Sequence, residues 1–134
     1  MSLEKGQRYR KEFAFTNRQV RQFSELTGDS NPIHLDRTYA EKAGFTNVIV
    51  HGFLVGSMIS RILGTEFPGA GTIYLSQTMS FKAPAFPDEE LVAELEILDV
   101  TASGKYTIKT LVSSKQTGEI KLVGEALVLY RTPV

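Results

Sequence analysis

An apolar segment at 52–63, GFLVGSMISRIL, constrains the fold of this chain more than any other feature. Read as a helix, it has large apolar side chains on every face, and such a helix is buried on most sides. It would run roughly 18 Å, which is too short to cross a bilayer. The segment therefore predicts a core helix. The apolar residues are Phe53, Leu54, Val55, Met58, Ile59, Ile62 and Leu63.

The apolar pattern changes to a period of two after residue 70. Alternation of this kind is typical of strands that bury one face, and turn sequences separate the segments. The first segment would place Ile73, Leu75, Met79 and Phe81 on a common face. Together the segments predict about four antiparallel strands joined by hairpins, in an α+β fold whose sheet curls around the core helix. The segments are 73–81, 91–97, 106–113 and 120–130.

The first half of the chain predicts a short strand and two further helices. Residues 9–15 alternate well enough for a strand, and a helix over 17–27 would end at Gly28 in the left-handed conformation. Asp36 can cap a second, short helix that stops at Gly44. The inner stripe of the first helix would contain Val20, Phe23 and either Leu26 or Thr27.

Composition narrows the classes of protein that are compatible with this chain. Its 134 residues are 42% hydrophobic, which is enough for one packed core and predicts a single domain over 1–134. Basic and acidic residues number 15 each, so no global field would draw the chain to nucleic acid or an anionic membrane. With no cysteine and only two histidines, we do not expect a metal site. The first residues lack an apolar signal segment, and we expect the cytoplasm as the compartment.

The heptapeptide GDSNPIH at 28–34 is the strongest local candidate for chemistry. Pro32 keeps Asn31 out of helical geometry, so the segment must bend. A continuous helix would rotate Asp29 and His34 apart, whereas a bend can bring the carboxylate and the imidazole to one point. Two converging groups with different pKa values are what the addition of water to a double bond requires.

Residue types alone leave a second interpretation of this bend open. Asp and Asn next to Pro are ordinary turn formers, and Asn31 could serve only to cap a turn at Pro32. Asp36 is also acidic and close to His34, but its position before a helix favours capping. For the chemistry we therefore favour Asp29.

A second candidate feature is the pair His51-Gly52, which leads directly into the core helix. The first N–H groups of a helix are unpaired and carry partial positive charge, and a glycine lets a ligand approach them closely. A thioester oxygen against the Gly52 N–H would have its developing negative charge stabilised. The alternative is that Gly52 only fits against a strand and that His51 is a structural histidine. Further along, Gly56 and Ser60 are small residues one turn apart, which lets either a sheet or an acyl chain pack closely, and Ser60 is a candidate polar contact.

Together the two features resemble the MaoC-like, (R)-specific enoyl-CoA hydratases, also called hydratase 2. The resemblance extends over about residues 5–130 and includes IVHG at 49–52 and IYLSQTMSFKAP at 73–84. Two motifs at this separation are highly specific. The first motif, an aromatic residue followed by G-D-x-N-P-aliphatic-H and a later alanine, is matched by Phe23, Gly28, Asp29, Asn31, Pro32, Ile33, His34 and Ala40.

The resemblance implies a hotdog fold, in which an antiparallel sheet wraps around a long central helix, and a homodimer or higher oligomer with its sites near the subunit interface. It implies that Asp29 and His34 are the catalytic pair. Gly52, Asn31 and Ser60 would be substrate-binding residues: Gly52 as donor to the thioester oxygen, Asn31 as support of the bend, and Ser60 near the acyl pocket. The reaction would be (R)-specific hydration of trans-2-enoyl-CoA, in which coenzyme A belongs to the substrate and no cofactor is needed.

Three other activities remain open on the same scaffold. The nearest is dehydration of a (3R)-hydroxyacyl thioester carried by acyl-carrier protein. A thioesterase belongs to a different class, against which the bend at 28–34 argues. A non-catalytic domain that binds acyl thioesters would have little use for both Asp29 and His34. Lys82 and Arg61 are the candidate cations for the phosphates of the carrier.

Overall fold

The computed structural model describes residues 3–131, and its helices precede most of its strands, as the change of period predicted. The elements in chain order are β1 (Arg8–Phe13), α1 (Asn17–Thr27), a short 3-10 helix (Pro32–His34), α2 (Arg37–Lys42), α3 (Gly52–Thr65), β2 (Ile73–Gln77), β3 (Ser80–Phe81), β4 (Leu91–Val100), β5 (Lys105–Ser114) and β6 (Ile120–Leu129).

Within residues 3–131 the strands form one antiparallel sheet in the order β1-β4-β5-β6-β2, and β3 also pairs with β6. The long strands β4, β5 and β6 follow one another through tight turns, as predicted. β1 pairs directly with β4, although all the helices lie between these two strands in the chain. Arg8 is opposite Glu96 and Phe13 is opposite Leu91. The predicted α+β class is confirmed.

The helix α3 provides much of the core against which the sheet packs. It begins at Gly52, as predicted, and most of its apolar side chains are buried. One face is open, however, because Phe53, Ser57 and Ser60 are exposed. Among residues 3–131 no helix combines the length and the apolar character that a membrane crossing needs. The buried side chains of α3 that join the core are Leu54, Val55, Met58, Ile59, Ile62 and Leu63.

The helix α1 has the predicted bounds because side chains cap its first turn and a glycine ends it. The Gln19 N–H donates to the Thr16 hydroxyl at 3.1 Å, and the Thr16 N–H donates to the Gln19 side chain at 2.9 Å. This reciprocal pair satisfies two backbone donors that the helix itself cannot pair. At the other end Gly28 adopts φ 79°, a left-handed conformation that glycine reaches without a steric penalty.

The inner stripe predicted for α1 is partly wrong. Val20 is buried as predicted, but Leu26 is 83% exposed and Thr27 is also exposed. Ser24 is buried instead, one turn after Val20. Its hydroxyl can be buried because it forms a hydrogen bond of 3.0 Å with Nε2 of His51. A tertiary hydrogen bond thus replaces an apolar contact at this position.

The strand predicted over 73–81 is interrupted between β2 and β3. The Thr78 N–H donates to the Glu125 carbonyl at 2.9 Å, and the Glu125 N–H donates to the Thr78 hydroxyl at 3.0 Å. The Thr78 carbonyl passes so close to Gly124 that a Cβ at Gly124 would overlap it. The apolar residues of the predicted strand do not bury a common face within the chain. Ile73, Leu75 and Phe81 are 54%, 44% and 53% exposed.

Candidate active site

The segment 28–34 forms the predicted bend. Gly28 ends α1, and Pro32 starts a short 3-10 helix that includes His34. The Asn31 side chain accepts a hydrogen bond from the Ile33 N–H at 3.2 Å, which caps that short helix. The chain therefore reverses between Asp29 and His34 instead of continuing as a helix.

The imidazole of His34 is buried and held in one orientation. Its Nδ1 lies 2.7 Å from the carbonyl oxygen of Ile49. Because a carbonyl oxygen only accepts, Nδ1 carries the proton of this hydrogen bond. In the neutral ring Nε2 is then left with a lone pair that can accept a proton.

The carboxylate and the imidazole converge as the bend predicted. One ligand atom from each of Asp29, His34 and His51 lies within 4.8 Å of the other two. A water about 2.8 Å from each of two acceptors spans such a gap. Asp29 is exposed and His34 is buried, so the pair extends from the surface into the protein. The three groups are close enough to share a metal ion, although each histidine ring already uses one nitrogen for a protein partner.

The first residue of α3 lies beside this pair. Gly52 is the first helical position, where the backbone N–H has no carbonyl of its own helix to pair with. The ring of Phe81 packs on Gly52 so closely that a Cβ there would lie 2.7 Å from its Cε1 atom. Only glycine therefore fits this position without moving Phe81, and the strand piece β3 is what holds Phe81 in place.

A cavity of about 460 Å³ contains Asp29, His34, His51 and Gly52 in its lining. The volume is in the range of small-molecule sites, and most of the remaining wall is apolar. An uncharged acyl chain can therefore extend along the wall while its reacting end faces the polar groups. The apolar wall includes Phe45, Ile49, Val55, Phe81 and Leu122.

Two predicted substrate-binding residues lie outside this lining. Asn31 is exposed and caps the short 3-10 helix, which is the supporting part of its predicted role. Ser60 is on the exposed face of α3, and its predicted contact with the acyl chain stays a prediction. Asp36 caps α2 by accepting a hydrogen bond from the Tyr39 N–H at 3.2 Å, as expected.

The cations around the cavity are only partly those predicted. Lys82 lines the cavity and is exposed, whereas Arg61 does not line it and lies 3.9 Å from Glu66. Lys121 also lines the cavity, although it is only 4% exposed. Its Nζ donates to the Pro84 carbonyl at 2.8 Å and to Glu119 at 2.7 Å. Because the Lys121 charge is already compensated, Lys82 is the better candidate for a phosphate.

His51 is the site residue whose position sequence analysis did not foresee. It is 2% exposed, and its ring stacks on that of His34 with centroids 3.8 Å apart. Nε2 lies 3.0 Å from the Ser24 hydroxyl and 3.4 Å from the Asp29 carbonyl oxygen, while Nδ1 is buried without a partner. The signals available in the sequence were an imidazole beside Gly52 and a serine on the apolar stripe of α1.

Burial lowers the pKa of His51, and the nearby His34 lowers it further, while Asp29 opposes both effects. Just below pH 6.5, the ordinary pKa of histidine, His51 is therefore protonated in the unfolded chain but still neutral in the folded chain. His51 thus contributes to the free energy of unfolding in a pH-dependent way. The contribution is complete above about pH 6.5 and is lost as the pH falls through the lower pKa that His51 has in the folded protein. We expect wild-type protein to lose more stability on acidification than His51→Phe, which has no imidazole at this position.

Urea unfolding of both proteins from about pH 7.5 to about pH 5.5 measures this difference. The carboxylates are the same in both proteins, so their contributions largely cancel. If the two curves of unfolding free energy against pH run parallel, the pKa of His51 is not lowered in the folded state.

The fold and the cavity define a class of protein: a sheet wrapped on a buried helix, with a carboxylate and an imidazole that converge near the start of that helix. A family model described as "MaoC like domain" matches residues 2–120. The chain therefore belongs to the MaoC-like domain family, and the expected hotdog fold is confirmed.

Individual relatives agree with this assignment over nearly the whole chain. The chain is 39% identical to an (R)-specific enoyl-CoA hydratase of Aeromonas caviae, with 95% of each chain covered. It is 40% identical to a mitochondrial 3-hydroxyacyl-[acyl-carrier-protein] dehydratase of Solanum lycopersicum, over 84% of this chain and 68% of that one. The solved structure of an (R)-hydratase from A. caviae involved in PHA biosynthesis matches with a TM-score of 0.92 and 39% identity, covering 97% of this chain and 98% of that one.

Proposed function

We propose that this protein is a hydro-lyase that adds water to trans-2-enoyl-CoA and forms (R)-3-hydroxyacyl-CoA reversibly. The observation that carries the proposal is the convergence of Asp29 and His34 within 4.8 Å, in an apolar cavity beside Gly52. The similarity to the (R)-specific hydratase of A. caviae over 95% of both chains supports this reaction and its stereochemistry.

In the proposed mechanism one water is bound by both members of the pair. The water has two hydrogens, and the Asp29 carboxylate and the free Nε2 of His34 each accept one of them. The pair removes one proton from the water as the water oxygen forms a bond to C3, and the electrons of the C2–C3 double bond move toward the thioester oxygen. C2 then takes a proton from the pair on the same side, so that one H and one OH are added overall.

The thioester oxygen gains negative charge during this step, and the start of α3 can stabilise it. The unpaired N–H of Gly52 and the partial positive charge at the helix N terminus act on this oxygen. Phe81, which packs on Gly52, covers one side of the same position. The chemistry requires no cofactor beyond the coenzyme A of the substrate, because only protons and one water are exchanged.

A spectrophotometric assay tests the proposal directly. Purified protein should remove the enoyl thioester absorbance of crotonyl-CoA, and enoyl-CoA substrates of increasing chain length should then show how much of the cavity an acyl chain can use. An (S)-specific 3-hydroxyacyl-CoA dehydrogenase should not oxidise the product. Formation of the (S) product, or release of free thiol without hydration, would contradict the proposal.

A second candidate is dehydration of (3R)-hydroxyacyl chains on acyl-carrier protein. It is favoured by the 40% identity to the S. lycopersicum dehydratase. The two activities share the chemistry of Asp29 and His34 and differ in the carrier of the acyl group. Measuring kcat/KM with the same acyl group on coenzyme A and on acyl-carrier protein therefore distinguishes them. A much higher kcat/KM on acyl-carrier protein would make dehydration the main activity.

We further infer that the protein is a homodimer, on the basis of its exposed apolar surface. β2 lies at an edge of the sheet, where unpaired backbone groups can bind another strand. An apolar surface beside it includes Phe53, which is 68% exposed, together with Ile73, Leu75 and Phe81. Surfaces of this kind on a small protein mark interaction sites. A second copy would cover the residues that flank the cavity at Phe53 and Phe81.

A charge placed in this apolar surface should break the dimer. Leu75→Lys would bury an unpaired ammonium group in the interface, and we expect monomers at micromolar concentration. Leu26→Lys is the matched control, because Leu26 is another exposed leucine, 83% against 44% for Leu75, and lies on α1 rather than in this apolar surface. Light scattering coupled to size-exclusion chromatography measures the mass. Equal masses for both variants would place the interface elsewhere.

The cytoplasm is our proposed compartment. The absence of cysteine is compatible with a reducing environment, in which disulfides are rare. Relatives with similar sequences are named as mitochondrial in S. lycopersicum and peroxisomal in Arabidopsis thaliana, so the fold serves several compartments. Fractionation of source cells with an antibody to this chain tests the assignment.

A further inference from the structure

His51 is a buried, ionisable side chain that the proposed mechanism does not use. It precedes α3 as its N-cap residue but makes no capping hydrogen bond. Its ring contacts three other parts of the structure: Ser24 on α1, the Asp29 backbone in the bend, and the His34 ring. A single side chain thus connects the helix before the bend, the bend itself and the start of α3.

The hydrogen bonds of His51 favour one form of the ring. The Asp29 carbonyl oxygen, 3.4 Å away, can only accept, so this contact requires the proton on Nε2. A proton on Nδ1 would be a buried donor without a partner, and orphaned buried N–H groups are rarer in proteins than under-satisfied acceptors. The neutral form with its proton on Nε2 therefore fits these surroundings best, and the Ser24 hydroxyl accepts from the same nitrogen at 3.0 Å.

The stacking of His51 on His34 has a consequence for proton transfer. The two rings are only 26° from parallel, so His51 limits how far the His34 ring can tilt. In any step that places a proton on Nε2 of His34, the positive charge faces a neutral ring, whose π-electrons attract a cation. A second cation at this distance would repel it instead.

We propose that His51 is a positioning residue for the acid/base pair. The Ser24–His51 hydrogen bond orients the His51 ring, which then holds the His34 ring by stacking and the Asp29 backbone by a hydrogen bond. Because His51 immediately precedes α3, these contacts hold the Asp29 carboxylate and the His34 imidazole in position relative to the start of α3. This role rests on the proposed hydration activity, since it is the geometry of that reaction that His51 maintains.

Two substitutions of His51 separate its stacking on His34 from its hydrogen bonds. His51→Phe keeps an aromatic ring for stacking but cannot bond to Ser24, whereas His51→Gln can place an amide near Nε2 but has no ring. We expect His51→Phe and His51→Gln each to lower kcat by about 10-fold. His51→Ala loses both the stacking and the hydrogen bonds and should lower kcat by about 100-fold. KM for crotonyl-CoA should change less than about 2-fold, because the His51 ring is only 2% exposed and its hydrogen bonds go to protein groups.

A double-mutant cycle tests the hydrogen bond itself. Ser24→Ala should lower kcat by about 5-fold in wild-type protein and have no further effect in His51→Phe, because the bond is already absent there. Equal effects of Ser24→Ala in both backgrounds, kcat values of folded variants within about 2-fold of wild type, or a loss confined to KM would each overturn the proposal. Ser24→Ala removes one hydroxyl only, so the cycle keeps a readout if His51→Ala does not fold.

Nitrogen-15 NMR of the histidine side chains gives a readout that does not depend on activity. In wild-type protein we expect His34 as the Nδ1–H form and His51 as the Nε2–H form, and we expect His34 signals that broaden in His51→Ala. A wild-type protein without hydratase activity but with these signals would reject the proposed function while leaving the positioning intact. Unchanged His34 signals in His51→Ala would reject the positioning.

Discussion

Asp29→Asn should lower kcat for hydration of crotonyl-CoA by about 100-fold or more, and His34→Ala should do the same. An amide cannot take a proton from water, and an alanine leaves the water with one acceptor where two are needed. Because the proposed mechanism has both residues act on one water, the double variant should be scarcely slower than the slower single variant. Loss of the enoyl thioester absorbance measures all three rates.

The chain offers a matched control for Asp29→Asn. Asp36 is also exposed and lies just after the bend at 28–34, but its carboxylate caps α2. Asparagine caps helices about as well as aspartate, so Asp36→Asn should keep both activity and stability. Hydration by Asp29→Asn or His34→Ala at near wild-type rate would show that the altered residue does not take part in catalysis.

The second large effect concerns stability rather than chemistry. Gly124→Ala should destabilise the protein by about 3 kcal/mol or more, because the new Cβ would overlap the Thr78 carbonyl oxygen and lie 3.2 Å from the Cα of Met79. Both neighbours are backbone atoms, which cannot rotate away as the end of a side chain can. Urea unfolding measures the loss.

Gly64→Ala is the control for this substitution. Gly64 lies within α3, and a Cβ there would meet no atom within 4 Å. Alanine favours a helix over glycine by up to about 1 kcal/mol, so this variant should be as stable as wild type or more so. Similar losses of stability for Gly124→Ala and Gly64→Ala would mean that the Thr78 crossing is not tight.

The same crossing also affects the candidate site. It separates β2 from β3, and β3 carries Phe81, which packs on Gly52. If Gly124→Ala moves β3 without unfolding the protein, the wall of the cavity beside the thioester oxygen should move with it. A fall in kcat of folded Gly124→Ala would therefore be an indirect effect, and the crystal structure of that variant would show it.

Much of the fold was predictable because its signals are local. A change of period from helix to strand, a capping residue and a glycine at a helix end act over a few residues, and the bounds of α1 and the start of α3 follow from them. The bend at 28–34 was predictable for the same reason, since Pro32 restricts the residue before it. The site residues on that bend could thus be named from the sequence.

Contacts between distant segments could not be predicted in this way. Ser24 on the inner stripe of α1, the break at Thr78 and the position of His51 each depend on a partner that is at least 22 residues away in the chain, as the contacts of Ser24, Asp29 and Glu125 show. Periodicity describes which face of an element is apolar. It does not say which polar group will meet a partner across the core.

By itself the sequence determined the period of each element, where the helices start and stop, and that a carboxylate and an imidazole lie on one rigid bend, because backbone geometry and local sterics decide these features. Only the tertiary structure decided that the bend closes on the start of α3, with His51 between them and Phe81 on Gly52. Those contacts form when the sheet packs around the helix, and the packing of the whole core decides which distant residues meet.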